Sequence, residues 1–90
     1  MKSVFTGEYE IFLSRLVSAR KAAGLTQQDV ANRLDRLQSF VSKYERGERR
    51  LDVVEFVTVC RALEVDPCDI IREIEGLAAS RSHCVPESES

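Results

Sequence analysis

An all-α domain of five helices is what this sequence predicts, on three observations. Apolar residues recur at three- and four-residue spacing in five successive blocks between Glu8 and Gly76. Residues that start or stop helices separate the blocks: Gly24, Thr26, Gly47, Asp52 and the Asp66-Pro67 pair. No stretch shows the two-residue alternation of a strand, and no internal repeat is visible. Ninety residues suffice for one small domain with one core.

The first helix is expected over Glu8 to Ala23, where Phe12, Leu13, Leu16, Val17, Arg20 and Ala23 recur on one face. Gly24 then supplies the left-handed residue that ends a helix at little cost. Thr26 is the expected N-cap of a short second helix, Gln27 to Leu34, with Asp29 as an imperfect capping-box partner. Val30, Ala31 and Leu34 point inward from it. After a turn at Asp35, Arg36 and Leu37, a third helix should run from Gln38 to Arg46 with Val41 and Tyr44 inward, stopped by Gly47. Asp52 and Glu55 make a capping box for the fourth helix, whose expected apolar face is Val53, Phe56, Val57, Cys60 and Leu63 and whose end is near Glu64. Asp66 and Pro67 open the fifth, with Asp69 near the positive end of its dipole. It should carry Ile70, Ile71 and Ile74 as far as Gly76. From Ala79 onward ASRSHCVPESES offers too little apolar area to offset its ordering entropy. The folded domain is therefore expected over residues 1–78, with a short disordered tail over 79–90.

Composition is that of an ordinary soluble protein, 43% apolar and 31% charged. No apolar run approaches the roughly 20 residues that cross a bilayer, and MKSVFTGEYE lacks the apolar centre of a signal peptide, so no membrane association and a cytoplasmic location are expected. Cys60, Cys68 and Cys84 are odd in number and lack the close spacing of a zinc or redox site, which fits a reducing compartment and no metal. Cys60 lies on a core face and reads as packing. The single histidine, His83, falls in the tail. Catalysis needs a positioned acid or base, a partnered nucleophile, a metal cluster or a phosphate loop. The sequence offers none of these, so neither an enzyme, a cofactor nor a small-molecule ligand is expected.

Charge is unevenly distributed. Residues 15–50 carry nine basic groups against four acidic ones, net +5, whereas residues 51–90 carry three against nine, net −6; the whole chain is at −2. Such asymmetry suits a protein that meets a polyanion with one face, although two solvated faces of opposite sign would look the same.

Two short helices joined by a tight turn, the second polar on its outer side, are the sequence form of a helix-turn-helix, here over about residues 26–46. The pieces GLTQQDVANRL, QSFVSKYERGERR and VCRALEVDP together resemble the XRE-type family of bacterial and phage repressors related to Cro and C1. The resemblance covers residues 11–75 and implies a compact five-helix, lambda repressor-like domain. Asp35 stands where that family commonly has glycine, Leu37 where it has a capping Ser or Thr, and Leu51 and Glu64 replace the commoner proline and glycine.

What the resemblance implies is a regulator of transcription that binds double-stranded DNA. Gln38, Ser39 and Lys43 would face base edges in the major groove, where Gln pairs with adenine and Lys reaches guanine acceptors. Phe40 and Ser42 are further candidates for base contact, Phe40 against a thymine methyl or as a shield of the helix. Gln27 resembles a phosphate-clamping glutamine at a helix N-terminus, and Arg46, Arg49 and Arg50 would add attraction independent of sequence. Arg20 and Glu45 correspond to an ion pair that ties the first helix to the end of the third. Because one recognition helix reads few base pairs, a homodimer on a short palindromic operator is expected, acting mainly as a repressor, with Ile71, Ile74 and Leu77 as the seam. Phe5 and Tyr9 are possible contributors to it. The rival reading is an antitoxin or adaptor that uses the same isoleucines for a protein partner.

Overall fold

The computed structural model describes the backbone of residues 7–82 and the side chains of residues 7–76. Five helices follow in order: α1 (Gly7–Ala22), α2 (Gln27–Leu34), α3 (Gln38–Glu45), α4 (Val53–Leu63) and α5 (Pro67–Ser82). No strand occurs among the described residues, and no helix is long and apolar enough to cross a membrane.

The helix boundaries follow from local chemistry. Thr26 accepts a hydrogen bond from the Asp29 amide while the Asp29 carboxylate accepts one from Thr26 N–H, so the box is complete although its acid is the shorter homologue of glutamate. Asp52 and Glu55 do the same for α4. The N-cap of α3 is Leu37, which makes no side-chain cap. At the other ends, Gly24, Asp35 and Glu64 adopt positive φ, at 74°, 58° and 61°. In each case the following amide reaches back across the last turn, as Arg36 N–H does to Ala31 O at 2.9 Å and Val65 N–H to Cys60 O at 3.0 Å. Asp35 and Glu64 therefore do the work of glycine at a cost of roughly 1–2 kcal/mol each.

One core joins the elements. Leu16 of α1, Val30 and Ala31 of α2, Val41 and Tyr44 of α3, and Val59, Cys60 and Leu63 of α4 are almost wholly buried, with Phe12, Phe40, Phe56 and Ile70 around them. α3 packs on α1 and α2, and α5 packs on α1 and α4. Two expectations need correction. The buried stripe of α4 is Phe56, Val59, Cys60 and Leu63; Val53, in the first turn and clear of the core, is 76% exposed. α5 does not end at Gly76 but continues to Ser82, because a glycine within a helix costs about 1 kcal/mol and stops it only where positive φ is taken up. The backbone of 79–82, expected in the tail, is thus helical. Phe5, His83, Cys84 and the side chain of Leu77 lie outside the described residues.

Candidate nucleic-acid interface

The recognition segment is anchored by Glu45 at the end of α3. Its carboxylate accepts two hydrogen bonds from Arg20 of α1, from Nε at 2.7 Å and from Nη2 at 3.2 Å. Arg20 Nη1 also donates to Leu25 O at 2.9 Å, which secures the loop before α2. The pair is mostly enclosed, its side chains 11% and 6% exposed. A forked, hydrogen-bonded arrangement of this kind fixes direction as well as charge.

From Glu45 the network runs outward. Gln27 Nε2 donates to Glu45 Oε1 at 2.9 Å, and Gln38 Nε2 donates to Gln27 Oε1 at 2.7 Å. Four side chains from α1, α3 and α2 thus form one chain that starts in the interior and ends at the solvent. Gln38 Oε1 and the second proton of its amide have no partner among the described residues. Ser39, the residue after Gln38, and Lys43, about one turn further along the same helix, are exposed, and the Lys43 ammonium makes no ion pair among the described residues. Ser42 is half-buried and takes a hydrogen bond from Arg46.

The remaining sequence candidates divide. Phe40 is not on the outer face: it is 8% exposed and packs edge-on to Tyr44, with centroids 5.5 Å apart. It precedes the buried Val41 by one residue and the buried Tyr44 by four, which turns it to the core side. Arg36 and Arg49 stack over its ring at 4.1 and 4.9 Å. Arg49 also grips Glu55 with both Nη atoms, at 2.9 and 2.8 Å. That contact, with the Asp52 amide, pushes the Glu55 carboxyl down to about 2. Arg46 is paired with Glu48 on the surface, holding that carboxyl below its usual range. Arg50 is elsewhere, its guanidinium 4.1 Å above the Tyr9 ring in a groove between α1 and α5. The arginine cluster is therefore three different things: a surface pair, a brace for Phe40 and α4, and a cover for Tyr9.

Arg36 is the residue the sequence reading did not single out. It is exposed, touches Glu55 only at 3.4 Å, and lines one concavity with Leu37, Ser39, Lys43 and Arg49. An arginine in the turn immediately before a recognition helix was the available signal. The predicted seam is also divided: Ile71 is 51% exposed, whereas Ile74 is largely packed on the core. Both line the groove that holds Tyr9, Phe12, Val53 and Phe56.

Comparison with known proteins agrees with the helix-turn-helix fold. The family described as "Helix-turn-helix domain" matches residues 12–70. Among solved structures, an XRE-family like protein from Pseudomonas syringae pv. tomato str. DC3000 is 48% identical, with a TM-score of 0.75, over 78% of this chain and 85% of its own. The restriction-modification controller protein C.AhdI from Aeromonas hydrophila is 29% identical, with a TM-score of 0.65, over 72% and 98%. The clp gene regulator ClgR from C. glutamicum is 25% identical, with a TM-score of 0.70, over 81% and 95%. No curated protein matches the chain.

Proposed function

Because this chain belongs to the XRE-type helix-turn-helix family and is a DNA-binding regulator of transcription, we propose that it acts as a repressor, a homodimer seated on a short palindromic operator. The Arg20–Glu45–Gln27–Gln38 chain supports the base-reading part of this proposal. A solvent-exposed glutamine gains nothing from such an anchorage unless its direction matters, and direction is what base recognition requires. Gln38, Ser39 and Lys43 read base edges in the major groove, and Ser42 assists through its hydroxyl. Gln27 and the first turn of α2 meet one phosphate strand. Arg46 can exchange Glu48 for phosphate cheaply, since an exposed ion pair is worth at most about 1 kcal/mol. Arg36 meets the strand across the groove.

Dimerisation places two recognition helices about 34 Å apart, one turn of the duplex. Ile71 and Ile74, with the groove they line, form the seam. Ile71→Glu should leave a folded monomer by mass measurement and abolish two-site binding; an unchanged dimer would remove α5 from the seam.

Selection of bound fragments from a randomised duplex pool tests the whole reading, run on wild type and Gln38→Ala/Lys43→Ala at two salt concentrations. Wild type should enrich a two-fold symmetric motif that the double variant loses while it keeps salt-sensitive background binding. Enrichment of nothing at either salt sinks the repressor and leaves an adaptor using the Ile71 groove.

A further inference from the structure

We infer that Leu37 is a specificity-determining residue, its side chain packing on the 5-methyl group of a thymine in the operator. The inference rests on the DNA-binding reading above and adds a contact that reading does not contain. Four large apolar side chains are strongly exposed among the described residues: Leu37, Val53, Val54 and Ile71. Three of them belong to α4 and α5. Leu37 alone adjoins the recognition helix, and at 78% it is the most exposed of the four.

Leu37 sits at the N-cap of α3, where its side chain makes no cap hydrogen bond. A Ser, Thr, Asp or Asn there would satisfy a free amide of the first turn. The chain thus gives up a cap and leaves a leucine in water at the same position. Neither choice helps the fold, because the side chain is not part of the core cluster. Both make sense if the leucine is covered when DNA is bound.

The surroundings say what covers it. Leu37 shares one concavity with Ser39 and Lys43, which Asp35, Arg36, Phe40 and Arg49 complete. A base edge that meets Ser39 and Lys43 therefore also meets Leu37, with Arg36 beside it for the backbone of the same strand. Thymine is the one base that presents an apolar group in the major groove. Phe40, the other apolar residue of that lining, is only 8% exposed and lies beneath the Arg36 and Arg49 guanidiniums, so Leu37 offers far more apolar surface for the contact.

The operator recovered from the randomised pool is rebuilt with deoxyuridine in place of each thymidine in turn, which removes one methyl and nothing else. For wild type, one position in each half-site should weaken binding about fourfold, and about fifteenfold when both half-sites are changed, the scale of one buried methyl apiece. Leu37→Ser should bind the thymidine and deoxyuridine operators equally, and Leu37→Met should restore the difference. Circular dichroism on both variants shows that the fold is intact, as expected for so exposed a position. If no deoxyuridine substitution weakens wild type, or if Leu37→Ser keeps the full difference, the inference fails while DNA binding stands. If no specific operator exists, both fall together.

Discussion

Glu45→Ala cuts the network at its centre. It leaves the Arg20 guanidinium mostly enclosed with only Leu25 O, at 2.9 Å, as acceptor among the described residues, and it deprives Gln27 Nε2 of its partner. Removing one member of a buried ion pair typically costs 3–5 kcal/mol, and the remaining carbonyl and the slight exposure of Arg20 bring the expected loss to about 2–4 kcal/mol. Against a total stability on the order of 5–10 kcal/mol for so small a domain, that is a large fraction. It should appear as a midpoint lowered by roughly 10–25 °C. Urea unfolding followed by circular dichroism gives the energy, and operator binding on the same samples gives the function. Arg20→Met/Glu45→Leu separates the two, because an apolar pair of similar volume can match a buried ion pair in stability. That double variant should recover most of the stability and still bind the operator weakly, since Gln27 and Gln38 are no longer aimed. A loss below about 1 kcal/mol for Glu45→Ala, or wild-type affinity in the double variant, would refute the reasoning.

The Glu55 carboxyl is pushed from 4.5 down to about 2, chiefly by the Arg49 hydrogen bond and then by the Asp52 amide. A depressed acid stabilises the fold above its unfolded pKa, so this contribution is complete above about pH 4.5 and is lost as pH falls toward 2. Glu55→Gln should flatten the acid limb of the stability profile, with a residual slope from Asp29 and Glu48, whose carboxyls are also held low; an unaltered limb would show that Glu55 is not its source. The Tyr44 hydroxyl is buried without a hydrogen-bond partner among the described residues. Tyr44→Phe should therefore be neutral or stabilising by about 1 kcal/mol in urea, and a loss of that size would reveal a partner. Leu37→Ser supplies the missing cap and should raise stability by about 1 kcal/mol; no gain would mean that the α3 amides are already satisfied.

Much of this protein was legible without coordinates because it is written in local terms. A capping box spans four residues and a helix stop depends on one left-handed residue, so Thr26, Asp52 and Gly24 announce their helices from sequence neighbours alone, whereas the positive φ of Asp35 and Glu64 is seen only in the structure. The apolar stripe of α3, inward at Val41 and Tyr44, follows from helical spacing in the same way. Charge segregation was equally readable, being a count along the chain. The sequence by itself thus determined the helices, their order and which segment could face a polyanion. Only the tertiary structure decided which side chains are free to do so. Arginines at 46, 49 and 50 look alike in a sequence, yet Glu48, Glu55 and the Tyr9 ring claim them separately, through contacts that in two cases cross between elements. Phe40 is buried and Leu37 exposed for a similar reason. Whether an apolar residue beside a turn goes in or out depends on which neighbouring helix lies above it, and that placement is a property of the packed helices rather than of the residues between them.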